Sequence, residues 1–206
     1  MPSTEAQAQP DEIREAILTA AQARLLRFGY HKTTMAEIAN EAGMSAANLY
    51  RYFKNKQDIV AECANRCIDD RLQSLRAIVR DPNLSPSKKL LAYAAELVAD
   101  CHALTGPDSM IGELVDTITR ERRDLLRSKH MIHYSLISEI LVAGNASGEF
   151  AVDDIDICAR NIFSAFALFD VPIFIGLYDR DEFDARAEGV VRLLLDGLRP
   201  KPATVG

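Results

Sequence analysis

A short stretch of the chain, from Gly43 to Lys56, carries side chains that could bind the phosphates and bases of a nucleic acid. Small residues come first and polar or aromatic hydrogen-bond donors follow: Ala46, Ala47, Asn48, Tyr50, Arg51, Tyr52, Lys54 and Lys56. Small side chains let a helix enter a groove deeply, while tyrosine, arginine and lysine donors reach phosphate oxygens. The spacing therefore indicates a surface that faces DNA.

Two short predicted helices position this stretch. Thr34 and Glu37 have the spacing of a capping box, which predicts a helix over 35–42 that ends at Gly43. Ser45 can cap a second helix over 46–53, and Gly43 supplies the turn between the two. Four apolar residues are available for the core that these helices share: Ile38, Ala39, Leu49 and Phe53. This pattern is typical of a helix-turn-helix.

The charge distribution supports an anionic partner for this segment alone. The whole chain has a net charge of −6, with 24 Lys and Arg against 30 Asp and Glu. Residues 1–60 carry seven basic and seven acidic side chains, whereas five basic and two acidic side chains give 27–56 a charge of +3. A basic surface on an acidic protein indicates one region that binds an anion.

Helical periodicity runs through nearly the whole chain, and no segment alternates as a strand would. The fold class is therefore all-α, with about nine helices. We predict them over about 12–28, 35–42, 46–53, 56–80, 86–105, 109–119, 122–145, 154–177 with a kink or an early end at Pro172, and 182–198.

Residues 13–60 resemble the N-terminal DNA-binding domain of the tetracycline-repressor (TetR) family of bacterial transcription regulators. The resemblance rests on Ala20-Ala21, Gly29-Tyr30, Thr33-Thr34-Met35, Ile38-Ala39, Ala42-Gly43-Met44-Ser45, Leu49-Tyr50-Arg51-Tyr52-Phe53, Lys56 and Asp58. It implies a three-helix DNA-binding domain over 10–55 and a helical effector-binding and dimerisation domain over 56–200. It also implies a homodimer joined through the last two long helices.

The resemblance further implies a dimeric regulator, most often a repressor, that a small-molecule effector releases from operator DNA. An activator, or a regulator with no effector, is the alternative within this class. Carried over residue by residue, the expected DNA contacts are Thr34, Ser45, Ala46, Ala47, Asn48, Tyr50, Tyr52 and Lys56, with Arg51 and Lys54 as neighbours.

The effector pocket is expected among the helices that follow residue 56. Its candidate wall residues are Cys63, Cys67, His102, Met110, Leu114, Met131, His133 and Phe163. His130 and His133 are three residues apart and could share a metal, which His102, Glu113 and Asp116 could complete. Short histidine pairs are frequent by chance, so we assign no metal site and no cofactor, and expect one histidine in the pocket wall.

The sequence excludes the common catalytic signatures. The chain contains no G-x-G-x-x-G, P-loop, G-x-S-x-G, H-E-x-x-H or C-x-x-C motif, so we expect no enzyme. A helical enzyme or metal-binding protein with a structural helix-turn-helix is the alternative class. The N-terminus lacks the pattern of a signal peptide, and Ser164, Asp170 and Pro172 interrupt the most apolar stretch, 162–178. We therefore expect a cytoplasmic protein that does not enter membranes.

The predicted helices over 154–177 and 182–198 hold more apolar residues than one small domain has to bury. We expect them to pair with a second copy as a four-helix bundle through Ile162, Phe166, Phe169, Val190, Leu193 and Leu194.

Overall fold

The computed structural model describes residues 10–104, 113, 115, 117–118, 120, 123–171, 174 and 177–200. These residues form helices and connecting turns, with no strand among them, which confirms the all-α prediction. Eight helices have defined bounds: α1 (Pro10–Phe28), α2 (Met35–Glu41), α3 (Ala46–Leu49), α4 (Lys56–Arg80), α5 (Pro86–Leu104), α6 (Arg123–Ser147), α7 (Ile155–Asp170) and α8 (Arg180–Leu198). The predicted helix over 109–119 lies largely outside the described residues, although positions 113, 115, 117, 118 and 120 are helical.

The chain divides into two compact units. The first unit comprises Met1–Cys67 and Asp108–Arg122, and the second unit comprises Ile68–Pro107 and Arg123–Gly206. Residues 56–67 thus belong with the first unit, whereas the boundary predicted from sequence grouped them with the rest of the chain. None of the described helices is long and apolar enough to cross a membrane.

The first unit packs α1, α2, α3 and the start of α4 around one apolar core. Its fully buried members include Ile17, Leu25, Ile38, Leu49 and Ile59. Because each comes from a different element or turn, burying them together fixes how α2 and α3 lie on α1 and α4. Two ion pairs, Arg14 with Glu62 and Arg66 with Glu15, add side-chain links between α1 and α4.

Local signals set the ends of α2 as the sequence predicts. The Thr34 hydroxyl accepts a hydrogen bond from the Glu37 backbone N–H at 3.3 Å, and the Glu37 carboxylate accepts one from the Thr34 backbone N–H at 2.8 Å. These two bonds form the capping box. The Thr34 backbone N–H and, second, the Thr34 hydroxyl, which donates to the carboxylate at 2.9 Å, lower the pKa of the exposed Glu37 carboxyl. Gly43 adopts a φ of 70°, a left-handed conformation that side chains disfavour, and so turns the chain toward α3.

α3 is shorter than predicted, and this corrects the expected helix over 46–53. Regular α-helix ends at Leu49, and Tyr50 to Tyr52 continue as turns. Arg51 and Tyr52 donate their backbone N–H groups to the carbonyls three residues back, at 3.1 and 3.0 Å, which tightens the last turn toward 3₁₀ geometry. The polar and aromatic residues of the stretch therefore project from this turn and not from a long helix.

The second unit buries a larger core from α5 to α8 and the remainder of α4. Tyr93, Phe166, Phe169 and Phe183 are its largest fully buried side chains. Asp154 and Asp179 cap α7 and α8, and their carboxylates accept the backbone N–H of Ile157 and Glu182 at 2.9 and 2.8 Å. The expected kink at Pro172 lies outside the described residues.

This core corrects part of the predicted dimer interface. Ile162, Phe166 and Phe169 are buried inside their own chain and offer no surface to a partner. Val190 and Leu194 are half-buried and pack against the same core, while Leu193 is 75% exposed. The monomer alone therefore uses most of the apolar content that the sequence assigned to a second copy.

Candidate functional site

The α2–turn–α3 motif has one face in the core and one face outside it. Ile38, Ala39 and Leu49 are buried, which fixes α3 against α2. The Ser45 hydroxyl accepts the Asn48 backbone N–H at 3.2 Å and caps α3 as predicted. The opposite face is consequently held in one orientation and is available to a partner.

Most of the predicted DNA contacts lie on this outer face. Thr34, Ser45, Ala47, Tyr50, Arg51 and Lys54 are exposed, and Tyr50 shows 54% of its surface. Ala46, Asn48, Tyr52 and Lys56 are half-buried. Ala46 and Tyr52 also pack against the first core, and the Tyr52 carbonyl accepts a bond from Arg14 at 3.3 Å. Tyr52 therefore contributes to packing in this unit as well as to the candidate surface.

Lys56 has a structural role that the sequence did not reveal. Its ammonium group donates to the carbonyls of Tyr30 and Thr33 at 2.7 and 2.9 Å, and lies 3.9 Å from the centre of the Tyr30 ring. These bonds tie the first turn of α4 to the loop between α1 and α2. A phosphate contact by Lys56 stays a prediction, and such a contact would have to be made from this tethered position.

We expect Lys56→Ala to lower stability as well as DNA affinity. Losing the charged donor to two carbonyls should cost about 1–3 kcal/mol in the free energy of unfolding, measured in urea. A lost phosphate contact in both subunits should flatten the salt dependence by about two units, given a slope of about −0.9 per phosphate.

Lys54→Ala is the matched control, because Lys54 is exposed two residues earlier. It should flatten the salt dependence to a similar extent and change stability by less than about 0.5 kcal/mol. Equal stabilities of the two variants would mean that the carbonyl contacts of Lys56 contribute nothing.

The described wall residues predicted for the effector pocket are divided between the two units. Cys63 lies in the core of the first unit, where burial raises the pKa of its thiol to about 12, and Cys67 ends that unit. Met131 is 59% exposed, and Met110 and Leu114 lie outside the described residues. His133 and Phe163 are brought together in the second unit, with their ring centres 4.6 Å apart. The pocket wall as a whole therefore stays a prediction, and His133 with Phe163 is the pair within it that the described contacts bring together.

His102 lines a groove between α5 and α8. The groove has a volume of about 490 Å³, and small α5 side chains such as Ala95 and Ala99 form one side. His102 Nε2 lies 2.9 Å from a carboxylate oxygen of Asp184 across it. Of the predicted wall residues, this groove contains His102 alone.

A buried ionic cluster in the second unit was missed in the sequence. Asp170, only 5% exposed, accepts hydrogen bonds from Lys129 at 2.8 Å and from Arg71 at 3.3 Å. Arg71 also donates to Asp100 at 2.8 Å. Burial tends to raise the pKa of the Asp170 carboxyl, but Lys129 and Arg71 outweigh it, so the pKa lies below its usual value. The cluster joins α4, α5, α6 and α7 through charges in a mostly apolar core.

Tyr93 and His133 form a second polar pair in the same core. The Tyr93 hydroxyl lies 2.6 Å from His133 Nδ1, and both side chains are buried. Burial lowers the pKa of His133 to about 3, so its imidazole is neutral at physiological pH. The pair therefore places a neutral, hydrogen-bonded imidazole inside an apolar core.

The described residues hold no group of three or more His, Cys, Asp or Glu side chains arranged for a metal ion. His130 lies against Phe163, with 5.1 Å between ring centres. Asp116, one of the residues that could have completed a metal site, lies outside the described part of the chain.

Comparisons with known proteins agree with this architecture. The family model described as bacterial regulatory proteins, tetR family, matches residues 17–63. The model described as tetracyclin repressor-like, C-terminal domain, matches residues 86–191. Together the two matches cover the candidate DNA surface and most of the second unit.

Individual relatives span nearly the whole chain. The HTH-type transcriptional regulator RutR of Escherichia coli K12 is 27% identical over 91% of each chain. The fatty acid metabolism regulator protein of Bacillus subtilis is 24% identical over 90% of this chain and 95% of its own. A TetR transcription regulator from Haloarcula marismortui has the same fold, with a TM-score of 0.72 and 20% identity over 91% of this chain and 98% of its own.

These relatives are transcriptional regulators and not enzymes, as the sequence predicts. The match to the C-terminal model alone covers more than half of the chain, from residue 86 to residue 191. The chain belongs to the TetR family of bacterial transcriptional regulators.

Proposed function

We propose that the protein is a homodimeric repressor that binds operator DNA through α3 and leaves it when a small molecule binds the second unit. The observation that carries the proposal is the outer face of the helix-turn-helix, where Ala47, Tyr50 and Arg51 are exposed while Leu49 is buried. That orientation leaves small and donor side chains outside the core, as groove entry and phosphate contacts require.

On DNA, the N-terminal turn of α3 would enter the major groove. Ser45, Ala46 and Ala47 are small enough for close approach, and Asn48 has the amide that pairs with an adenine edge. Tyr50, Arg51 and Lys54 would contact the flanking phosphates. Two copies would place their α3 helices in successive grooves, roughly 34–36 Å apart.

A second copy would pack against the outer faces of α7 and α8. Leu193 on α8 and Ile157 on α7 are exposed by 75% and 58%. Gly189 and Gly197 lie one turn before and after Leu193, and a Cβ built at either meets no atom within 4 Å in the described residues. An apolar side chain flanked by two open glycines permits close approach of a partner helix.

The effector would act through α4. This helix begins at Lys56 in the first unit and includes Arg71 of the second unit, so it connects the two. A ligand that binds better to a different position of α4 would shift the population toward that position and change the spacing of the α3 helices. The alternative class, a helical enzyme or metal-binding protein, is not favoured because the chain belongs to a family of regulators.

Binding of the purified chain to the DNA upstream of its own gene tests the function. In gel-shift assays at about 150 mM salt, we expect a complex roughly 10³ tighter than with a scrambled fragment of equal length. Asn48→Ala should weaken that complex by about 1–3 kcal/mol and relax the preference at one position of each half-site. Asn65→Ala, an exposed asparagine on α4, is the matched control and should change neither. Equal affinity for both fragments would contradict the proposal.

A further inference from the structure

We propose that the effector is a neutral small molecule whose carbonyl oxygen accepts a hydrogen bond from His133 Nε2–H in the core of the second unit. The inference rests on the proposed function, because it takes this unit to be the one that binds an effector. Three features near His133 define the ligand chemistry. They are the proton on Nε2, the equal numbers of buried cations and carboxylates, and the aromatic rings that surround the side chain.

The bond to Tyr93 decides which His133 nitrogen carries the proton. If the Tyr93 hydroxyl donates to Nδ1 across their 2.6 Å, Nε2 carries the hydrogen and is the one unsatisfied group. In the other tautomer, Nδ1–H donates to the phenol, and both the Tyr93 O–H and the Nε2 lone pair lack partners in the described residues. Because each unsatisfied buried polar group costs about 1–3 kcal/mol, the first tautomer is favoured.

His133 Nε2–H is therefore a donor that needs an acceptor. The residue is 1% exposed, and Nε2 has no hydrogen-bond partner among the described residues. Most buried polar groups in folded proteins are paired, so a buried donor without an acceptor needs an explanation. A ligand oxygen that accepts the hydrogen bond from Nε2–H explains it, because this bond forms only in the ligand-bound state.

Among the described residues, the buried charges that act on His133 balance one another, which argues for a neutral ligand. Two cations, Arg71 and Lys129, face two carboxylates, Asp170 and Asp100, with distances of 2.8–3.3 Å. Adding a carboxylate ligand would leave an uncompensated negative charge in the core, at a cost of several kcal/mol. A neutral carbonyl compound would accept the hydrogen bond from Nε2–H without adding a buried charge.

The surrounding rings define the rest of the ligand. Phe163 stacks on His133 with an interplanar angle of 28°, and the rings of His130 and Tyr134 lie 5.1 and 5.6 Å from Phe163. On the other side of the pair, Phe166 stacks on Tyr93 with ring centres 6.2 Å apart. Aromatic surroundings favour a flat or apolar body attached to the carbonyl group.

Imidazole ¹⁵N NMR of the full-length protein tests both parts of the proposal. Without ligand, the His133 ring should show a protonated Nε2 and an unprotonated Nδ1. Benzamide, acetophenone, phthalimide and coumarin serve as neutral carbonyl probes, with benzoate and ethylbenzene as the charged and apolar counterparts. At least one carbonyl probe should shift His133 Nε2 and bind roughly tenfold more tightly than benzoate.

Two variants distinguish the hydrogen bond of His133 Nε2–H from the packing of its ring. His133→Phe should abolish binding of that probe, whereas His133→Gln keeps an N–H near the Nε2 position and should retain part of it. If His133→Phe does not fold, Tyr93→Phe replaces it, since losing the phenol frees the tautomer and should weaken probe binding. His31→Gln, at an exposed histidine, is the control.

Three results would overturn the inference: a protonated Nδ1, tighter binding of benzoate than of every carbonyl probe, or no shift of the His133 ring with any carbonyl probe. Retention of probe affinity in His133→Phe would overturn it as well. The gel shift on operator DNA is measured on the same preparation without probes. A specific DNA complex together with any of these results would reject the ligand class and leave the proposed function standing.

Discussion

Asp170→Ala is expected to lower the free energy of unfolding by about 3–5 kcal/mol at pH 7, the range for breaking a buried ion pair. The substitution removes the carboxylate that Lys129 contacts and leaves Arg71 with Asp100 alone among the described residues. Both cations have side chains only 11–12% exposed, so water replaces the lost partner poorly. Urea unfolding followed by circular dichroism measures the change.

Asp196→Ala is the matched control for this prediction. Asp196 is exposed and pairs with Arg199 three residues away, so its loss should cost less than about 0.5 kcal/mol. The double variant Asp170→Ala with Lys129→Met should recover part of the stability, because it removes a stranded charge. A loss for Asp170→Ala no greater than that for Asp196→Ala would mean that the cluster is open to water.

The sequence predicted the features that depend on neighbouring residues. The cap of Thr34 with Glu37 and the Ser45 cap of α3 both form as expected. A cap joins groups three residues apart, so the local sequence contains the whole interaction. The predicted end of α3 was wrong because no glycine or proline follows Leu49 to mark it.

The candidate DNA surface could be predicted from the sequence, whereas the buried ionic cluster could not. The predicted DNA contacts lie within residues 34–56 and share one motif, so their grouping on one surface was predictable. The ionic cluster joins residues 29, 41 and 99 positions apart on four helices. No local pattern encodes the register between such helices. Asp170 was visible as an acidic residue in the apolar stretch 162–178, and its burial requires a partner, but the sequence did not identify Arg71 or Lys129.

Three residues of the predicted interface were misassigned for a related reason. Ile162, Phe166 and Phe169 were assigned to a partner because the last two long helices hold more apolar residues than one small domain was expected to bury. The structure turns these three side chains inward against α5, α6 and α8, and leaves Ile157 on the outside. Counting apolar residues cannot separate the two faces of a helix that is buried on most of its surface.

A single substitution on the outer face of α8 would change the proposed dimer interface twice. In a two-fold symmetric dimer the same patch is present on both subunits, so a new charge at Leu193 occurs twice and can lie opposite its own copy. Like charges facing each other across an interface cost several kcal/mol, in addition to the apolar contact that is lost. The same change should have little effect on the stability of the monomer, because Leu193 is 75% exposed.

We therefore expect Leu193→Glu to weaken the dimer by at least roughly 100-fold and to give monomers at micromolar concentration in sedimentation velocity. Operator affinity should fall with it, since a monomer contacts one half-site, while the far-ultraviolet circular dichroism spectrum should show that the chain keeps its helices. Val142→Glu is the matched control, because Val142 is an apolar α6 side chain with 56% exposure. A dimer that survives Leu193→Glu but dissociates in Val142→Glu would place the interface on α6, and survival in both would exclude α8 as its centre.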